Sequence, residues 1–435
     1  MLIRKLEARD EPVRVGLVGA GMFGSQVAYA VESTPGMTVA AIADIDRSKA
    51  FGTFERAGVP ESTVETGSSA AAAAQAMEAG DRLVLDDGLD LIEAGPDVLV
   101  EATGVPEVAA RHAYAAIDAG VDVVNVSVEA DTVVGPLLGR LAERAGVTYS
   151  MAYGDQPAKV IELYDRARTN GFGVVAAGRT AGDLEPHGTP DDALERHRWI
   201  GPFVEEYDPD PAIYNSFLDG TKVAVESCAI ANALGLRPDR TGMHVPEVSR
   251  ADAPAALCPT ADGGRLDAEG VIDCLTLTDE GFSGFVVTRT DNESLRRYLH
   301  RRGSVPTAAD GRYQLFHVPF HDAQETSVSV ARAALSGEPT GRVRSQETEV
   351  VAAAKRDLRP GDEIDGGGGY TVYGVLEDAD VASERGHVPL ELLAGATVRA
   401  EVGVDEFVSE DDVDLDTDSF LYHLRRVQEG VAPAP

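Results

Sequence analysis

The segment from Val13 to Asp44 constrains the fold more than any other part of the chain. It reads VRVGLVGAGMFGSQVAYAVESTPGMTVAAIAD: a short apolar strand, a glycine-rich turn, an amphipathic helix and a second apolar strand ending in an acid. Gly19, Gly21 and Gly24 fit the G-x-G-x-x-G pattern, with Ala20, Met22 and Phe23 between them, and Asp44 follows the last glycine by twenty residues. Gly19 permits the tight turn, Gly21 lets backbone N–H groups approach a pyrophosphate, and Gly24 lets the helix lie close to the strand. The helix N-terminus adds unpaired N–H groups and the positive end of its dipole. The combination predicts a dinucleotide site. The turn alone would also suit an unrelated α/β domain or another nucleotide-bearing cofactor.

Asp44 bears on the choice of dinucleotide. A carboxylate at the tip of the second strand accepts hydrogen bonds from the ribose hydroxyls of NAD and repels the 2′-phosphate of NADP, which an Arg usually meets. NAD is therefore favoured over NADP, although Arg47 and Lys49 follow closely enough to reach a phosphate.

A chain of 435 residues exceeds one ordinary core and predicts two or three domains. Its 38 basic and 73 acidic residues leave a formal charge of −35, spread along the whole sequence, and only five of the bases are Lys. Such a charge repels nucleic acid and anionic membrane surfaces, and in dilute salt it destabilises the compact state by self-repulsion. Adaptation to a high-salt cytoplasm is favoured over a functionally acidic surface, because the acids are not gathered on one block or tail. Cys228, Cys258 and Cys274 lie far apart, with neither metal spacing nor an even count, and are expected to be reduced and structural. The N-terminal MLIRKLEARD lacks the apolar run of a secretion signal, and no apolar stretch approaches the length of a membrane span. A cytoplasmic location is expected.

Residues 1–153 are expected to form an α/β domain, a doubly wound parallel Rossmann sheet. Beyond the first βαβ unit the pattern predicts a strand over 96–104, a helix over 106–120 and a strand over 121–131 that runs into an acidic turn. A helix over 136–146 and a strand over 147–153 complete it. In such sheets ligands lie outside the carboxyl ends of the strands. Thr103, Gly104, Asn125, Ser127, Glu129 and Asp131 fall at those ends and are expected to line the nicotinamide side. A helix (155–170), a strand (172–178), a Pro/Asp/Glu-rich connection and a helix after Asp219 begin a central α+β substrate-binding and oligomerisation domain, assigned to 154–345. Its last helix is predicted in HDAQETSVSVARAALSG. Short β runs around RPGDEIDGGGGY make 346–425 a separate small β domain.

A nicotinamide enzyme needs a group that polarises a carbonyl or moves a hydroxyl proton. Because Lys is so scarce, Lys159 in GDQPAK and Lys222 in DGTK stand out, each shortly after an acid. A lysine held in a dry cleft has its pKa lowered and then serves in proton transfer. Lys222, assisted by Asp219 and Glu226 on the same helical face, is the stronger candidate; a surface lysine beside a helical acid is the alternative for both. Glu129, Asp131, Asp155, Asp219 and Glu226 are, in part, candidate oxygen ligands for a divalent cation, though acid clusters arise by accident in so acidic a chain. The run LRRYLHRRG (295–303) suits a substrate phosphate or a neighbouring subunit, but a solvated helix face is favoured. His317 and His321 have i,i+4 spacing with Pro319 between them, which argues for structural roles.

EATGVPEV (101–108), VNVSVEAD (124–131), YGDQPA (153–158), FLDGTK (217–222), AIANALGL (229–236) and AKRDLRPGDEIDGGGGYTVYG (354–374), taken with the fingerprint, resemble one family over nearly the whole chain. It is the homoserine dehydrogenase-like oxidoreductases that end in a SAF domain. The resemblance implies an NAD(P)-binding Rossmann domain, a central catalytic and dimerisation domain and a β-clip tail. It further implies a homodimer or homotetramer acting on a small-molecule substrate, with hydride passing between nicotinamide and a small polar aldehyde, ketone or alcohol, such as aspartate 4-semialdehyde and homoserine. A branch of that family resembles 1-deoxy-D-xylulose-5-phosphate reductoisomerase, which would make the alternative a metal-assisted reductoisomerase of a phosphorylated ketose. The SAF tail departs from true homoserine dehydrogenases, and Asp44 departs from the NADPH-using branch. A third alternative is an NAD-sensing regulator without turnover.

Overall fold

The computed structural model of the protein describes residues 1–67, 69–196, 210–319 and 322–430. They form two compact units, and the chain passes from the first to the second after Ala158, inside the helix Gln156–Thr169.

The first unit is built on seven strands: β1 (Val13–Val18), β2 (Met37–Ala43), β3 (Val64–Thr66), β4 (Arg82–Leu85), β5 (Val98–Glu101), β6 (Asp122–Asn125) and β7 (Tyr149–Met151). All pair in parallel, in the order β3-β4-β2-β1-β5-β6-β7. Every residue of β2 and β5 is buried, as a parallel strand covered on both faces requires. Strand order reverses between β1 and β5, and the glycine turn after Val18 leaves the sheet there. The doubly wound parallel sheet expected from the sequence is present, within a mixed α/β protein.

Two local differences have physical causes. The strand expected over 121–131 stops at Asn125, and a helix runs from Val128 to Ala145. Glu129 and Asp131 therefore stand in the first turn of a helix and not at a strand end. Acids are favourable there because they face the positive end of the helix dipole. Pro136 lies inside this helix, which the sequence reading starts only at 136. Proline cannot donate and disturbs the turn before it. Here the carboxamide of Gln428 bridges the disturbed turn, accepting from Leu137 N at 2.9 Å and donating to Val133 O at 2.9 Å. Gln428 belongs to the helix Phe420–Gly430, which packs in the first unit. So does the helix Thr326–Ser336, whose Val330, Ala331 and Ala333 join the core formed by Val15, Val27, Val39 and Val100. Two stretches expected in later domains thus complete the first unit.

The second unit holds an eight-stranded mixed sheet: β8 (Gly173–Ala181), β9 (Arg237–Pro238), β10 (Glu247–Val248), β11 (Val271–Ile272), β12 (Leu275–Leu277), β13 (Ser283–Arg289), β14 (Thr307–Ala308) and β15 (Tyr313–Pro319). β13 lies antiparallel between β8 and β15, with Gly284 facing Arg179 on one side and Val318 on the other. Phe285, Val287, Leu315 and Leu257 fill its core. Each such buried side chain contributes about 1.5–3 kcal/mol relative to exposure. The helix Thr221–Leu234 lies against β8, β11 and an antiparallel pair, β16 (Thr348–Ala354) and β17 (Val372–Asp378). A smaller pair, β18 (Thr397–Val398) and β19 (Val413–Asp414), follows. Among the described residues no helix is long and apolar enough to cross a membrane.

Candidate active site

The three fingerprint glycines have different reasons to be glycine. Gly19 has φ +97°, and a Cβ on it would lie 2.5 Å from Ala102 O. A Cβ on Gly24 would lie 2.0 Å from Gly19 O, so the helix Met22–Glu32 can approach the turn only without one. Gly21 has an ordinary φ of −71°, and a Cβ there would meet nothing within 4 Å. Neither conformation nor the protein's own packing demands glycine at 21. The open space above a helix N-cap that carries no capping side chain suits the close approach of a pyrophosphate. Ala20 is buried, while Met22 and Phe23 are half-buried in the first turn.

Asp44, half-buried at the end of β2, uses both oxygens on the backbone. Oδ2 accepts from Ala20 N at 2.7 Å, so the acid fastens the turn, and Oδ1 accepts from Asp46 N at 2.8 Å. Arg47, one of the two bases able to meet a 2′-phosphate, makes a two-pronged ion pair with Asp86. Ile45, between Asp44 and Asp46, is 96% exposed.

At the ends of β5 and β6 the structure adds groups that motif reading did not single out. Glu101, fully buried, accepts from Thr103 Oγ1 at 2.5 Å and from Ser127 Oγ, and Ser127 Oγ in turn accepts from Gly104 N at 3.0 Å. His112 Nδ1 lies 3.6 Å from Glu101 Oε1. Thr103, Gly104 and Ser127 are thus tied together. The signal for Glu101 was a lone acid closing the apolar run VLV. Asn125 donates to Asp131 Oδ2 at 2.9 Å, and Tyr149 OH donates to Asp131 Oδ1 at 2.8 Å. Burial pushes the Asp131 carboxyl up to about 7 against these two hydrogen bonds, and burial also raises the Tyr149 hydroxyl well above its ordinary value.

The acids proposed for a metal differ in their surroundings. Asp131 is fully buried with both oxygens engaged. Asp155 Oδ1 accepts from the backbone of Gln156, and Glu129 is half-buried in the helix that begins at Val128. Among the described residues no group of three or more His, Cys, Asp or Glu side chains gathers as a metal would need.

In the second unit Lys222 is the second residue of the helix Thr221–Leu234. From Thr221 to Ala233 it is the one residue that is half-buried rather than buried. Both acids expected beside it have strong partners that spacing does not reveal. Asp219, buried, accepts from Lys355 Nζ at 2.8 Å and from Thr221 N at 2.8 Å. Burial raises its carboxyl, while Lys355 pulls it down. Glu226 pairs with Arg179 at 2.6 Å, both essentially unexposed. Lys159 is buried in the helix Gln156–Thr169. Lys355 was legible by the scarcity argument that picked out Lys159 and Lys222, whereas Arg179 carried no signal. The arginine run forms the helix Glu293–Arg302, which has no buried residue and whose Arg297 pairs with Glu293 at 2.6 Å. His317 stands 3.5 Å from Glu280, and His321 lies outside the described residues. All three cysteines are buried, and burial pushes the Cys274 thiol up to about 12.

Two family models match the chain. Residues 19–152 match the family model for the homoserine dehydrogenase NAD-binding domain, and residues 154–324 match the one for the catalytic domain of oxidoreductase DRL. The chain is an NAD(P)-dependent oxidoreductase. More particularly, it joins a segment similar to the homoserine dehydrogenase NAD-binding domain to one similar to the catalytic domain of oxidoreductase DRL. Solved structures it is similar to include a hyperthermophilic archaeal homoserine dehydrogenase in complex with NADPH, at 15% identity and TM-score 0.43, covering 74% of this chain and 98% of that one. A probable dehydrogenase from Thermotoga maritima is similar at 15% identity and TM-score 0.38, covering 75% and 90%. The 1-deoxy-D-xylulose 5-phosphate reductoisomerase from Zymomonas mobilis, in complex with NADPH, is similar at 16% identity and TM-score 0.36, covering 51% and 58%. No curated protein matches by sequence.

Proposed function

We propose that the protein transfers hydride between NAD and a small polar aldehyde or alcohol of the aspartate 4-semialdehyde and homoserine kind, with Lys222 as the proton-transfer group. The observation that carries this is the placement of Lys222, half-buried along an otherwise buried stretch of helix. A lysine so placed donates a hydrogen bond to a carbonyl oxygen and gives it a proton as negative charge develops there. NAD, when bound, supplies or accepts the hydride. Gly19, Gly21 and Gly24 with the N-terminus of the helix Met22–Glu32 would hold its pyrophosphate. Thr103 and Gly104 would line its nicotinamide side, whereas Asn125, expected with them, is fully buried behind that edge.

The preference for NAD rests on charge. Asp44, Asp46 and Asp86 stand around the end of β2, and Arg47 is committed to Asp86. A 2′-phosphate would meet carboxylates with the nearest guanidinium already neutralised. The exposed Ile45 offers an apolar face to an adenine ring. The remaining parts of the proposal are a homodimer or homotetramer in a high-salt cytoplasm, without nucleic-acid or membrane partners, and a SAF-type C-terminal module.

The test is an NADH- and NADPH-linked screen in molar KCl against aspartate 4-semialdehyde, homoserine and phosphorylated ketoses. NADH should support turnover of the semialdehyde. Lys222→Ala should lower kcat by about 10²–10⁴-fold, with NADH affinity changed less than about twofold. Equal small effects on both would remove Lys222 from the chemistry. A better NADPH reaction with a phosphorylated ketose, abolished by chelator and restored by magnesium, would replace this reading with metal-assisted reductoisomerisation.

A further inference from the structure

Lys355 follows directly on β16 and is almost wholly buried. Its ammonium donates to Asp219 Oδ2 at 2.8 Å, Gly188 O at 2.8 Å and Gly369 O at 2.5 Å. These are all the donors a lysine has. The other oxygen of Asp219 accepts from Thr221 N at 2.8 Å, the first residue of the helix that presents Lys222. One carboxylate thus joins Lys355 to the start of that helix.

The same turn is gripped by the glycine-rich stretch of the C-terminal segment. Gly374 in β17 donates its N–H to Thr221 Oγ1 at 2.8 Å. A Cβ on Gly374 would lie 3.2 Å from Thr221 Cα, and one on Gly367 would lie 2.9 Å from Thr221 Cγ2. Gly368 accepts from Asn215 Nδ2 at 2.8 Å, and a Cβ on it would fall 2.1 Å from Ala212 O. These glycines are needed for closeness of approach, not for looseness.

We infer that Lys355 is a positioning residue for Lys222: through Asp219 it fixes the first turn of the helix Thr221–Leu234, making the C-terminal β segment part of the catalytic apparatus. This rests on reading Lys222 as the proton-transfer group. Without Lys355 the buried Asp219 loses its counter-ion, two carbonyls lose a donor, and the turn is freed to shift. A displacement of about 1 Å at a reacting group costs on the order of 10²-fold in rate.

The scarcity of lysine makes a direct test possible, because Lys5, Lys49, Lys159, Lys222 and Lys355 are the full set. Full-length protein in molar KCl is given a trace of an acetylating N-hydroxysuccinimide ester, and each lysine's rate is read by mass spectrometry. In Lys355→Met the Lys222 rate, relative to Lys49, should change roughly fivefold or more, because the freed first turn alters the solvent access of its amine. Turnover of aspartate 4-semialdehyde with NADH should fall about 10²-fold in kcat with little change in KM. Lys355→Gln keeps two N–H donors for the carbonyls and is the variant to read if Lys355→Met does not fold; a change of about twofold in the Lys222 rate is expected. A folded variant with a lowered thermal midpoint but an unchanged Lys222 rate and kcat would overturn the inference and leave Lys355 structural only. Absence of turnover in the wild-type protein would count against the substrate reading, while the acetylation ratio would still decide this one.

Discussion

At the scale of single residues, Gly21 and Gly24 are indistinguishable in the motif yet constrained by different things. Gly24 is held by its own protein, with a Cβ 2.0 Å from Gly19 O, whereas Gly21 faces open space. Gly24→Ala should therefore cost about 3 kcal/mol of stability. Gly21→Ala should cost about 1 kcal/mol or less and weaken NADH binding tenfold or more. Thermal unfolding and calorimetry on the two variants check this; equal stability losses would remove the distinction. Asp131 gives a pH prediction. Its folded pKa of about 7, raised chiefly by burial, exceeds the unfolded value, so its stability contribution is whole below about pH 4 and is lost as pH rises through 7. That loss is on the order of 4 kcal/mol for a fully buried carboxyl. Asp131→Asn should flatten this part of the profile in urea unfolding at stepped pH, and parallel curves for variant and wild type would refute it. Neither Asp131's burial nor its bond to Tyr149 could be read from spacing, because both depend on where β7 places its side chain.

At the scale of elements, most of the first unit was legible. Apolar runs ending in small or polar residues became β1, β2, β5 and β6, and Pro106 and Gly120 bracket a helix as expected. The stretch 121–131 was not, because VNVSVEAD has strand-like alternation while its acids serve equally well in the first turn of a helix. Tertiary packing decided, burying Val128, Ala130 and Asp131 together. The helix interrupted by Pro136 depends on a residue almost three hundred positions away. Gln428→Ala should leave Leu137 N and Val133 O without the bridging amide, costing about 1–3 kcal/mol. Hydrogen exchange at Leu137 would read this directly; unchanged protection would show that the bridge is dispensable.

At the scale of the whole molecule, charge dominates. A formal charge of −35 with arginine replacing nearly all lysine predicts a stability that rises with salt, as screening relieves repulsion among exposed acids. Raising KCl from about 0.1 to 2 M should lift the thermal midpoint by roughly 10 °C. A midpoint indifferent to KCl would exclude salt adaptation.

The sequence alone determined the Rossmann sheet, the glycine turn and the acid at the end of β2, and it singled out Lys222 as the candidate for chemistry. Each of these is written in short-range pattern: strand and helix periods, a fixed spacing, a rare residue type. Only the tertiary structure decided that Asp219 answers Lys355, that Glu226 answers Arg179, that Glu101 gathers Thr103 and Ser127, and that helices from distant parts of the chain close the first core. Partner choice among buried charges is set by which side chains are forced out of water together, and that is a property of the packed fold rather than of any local stretch.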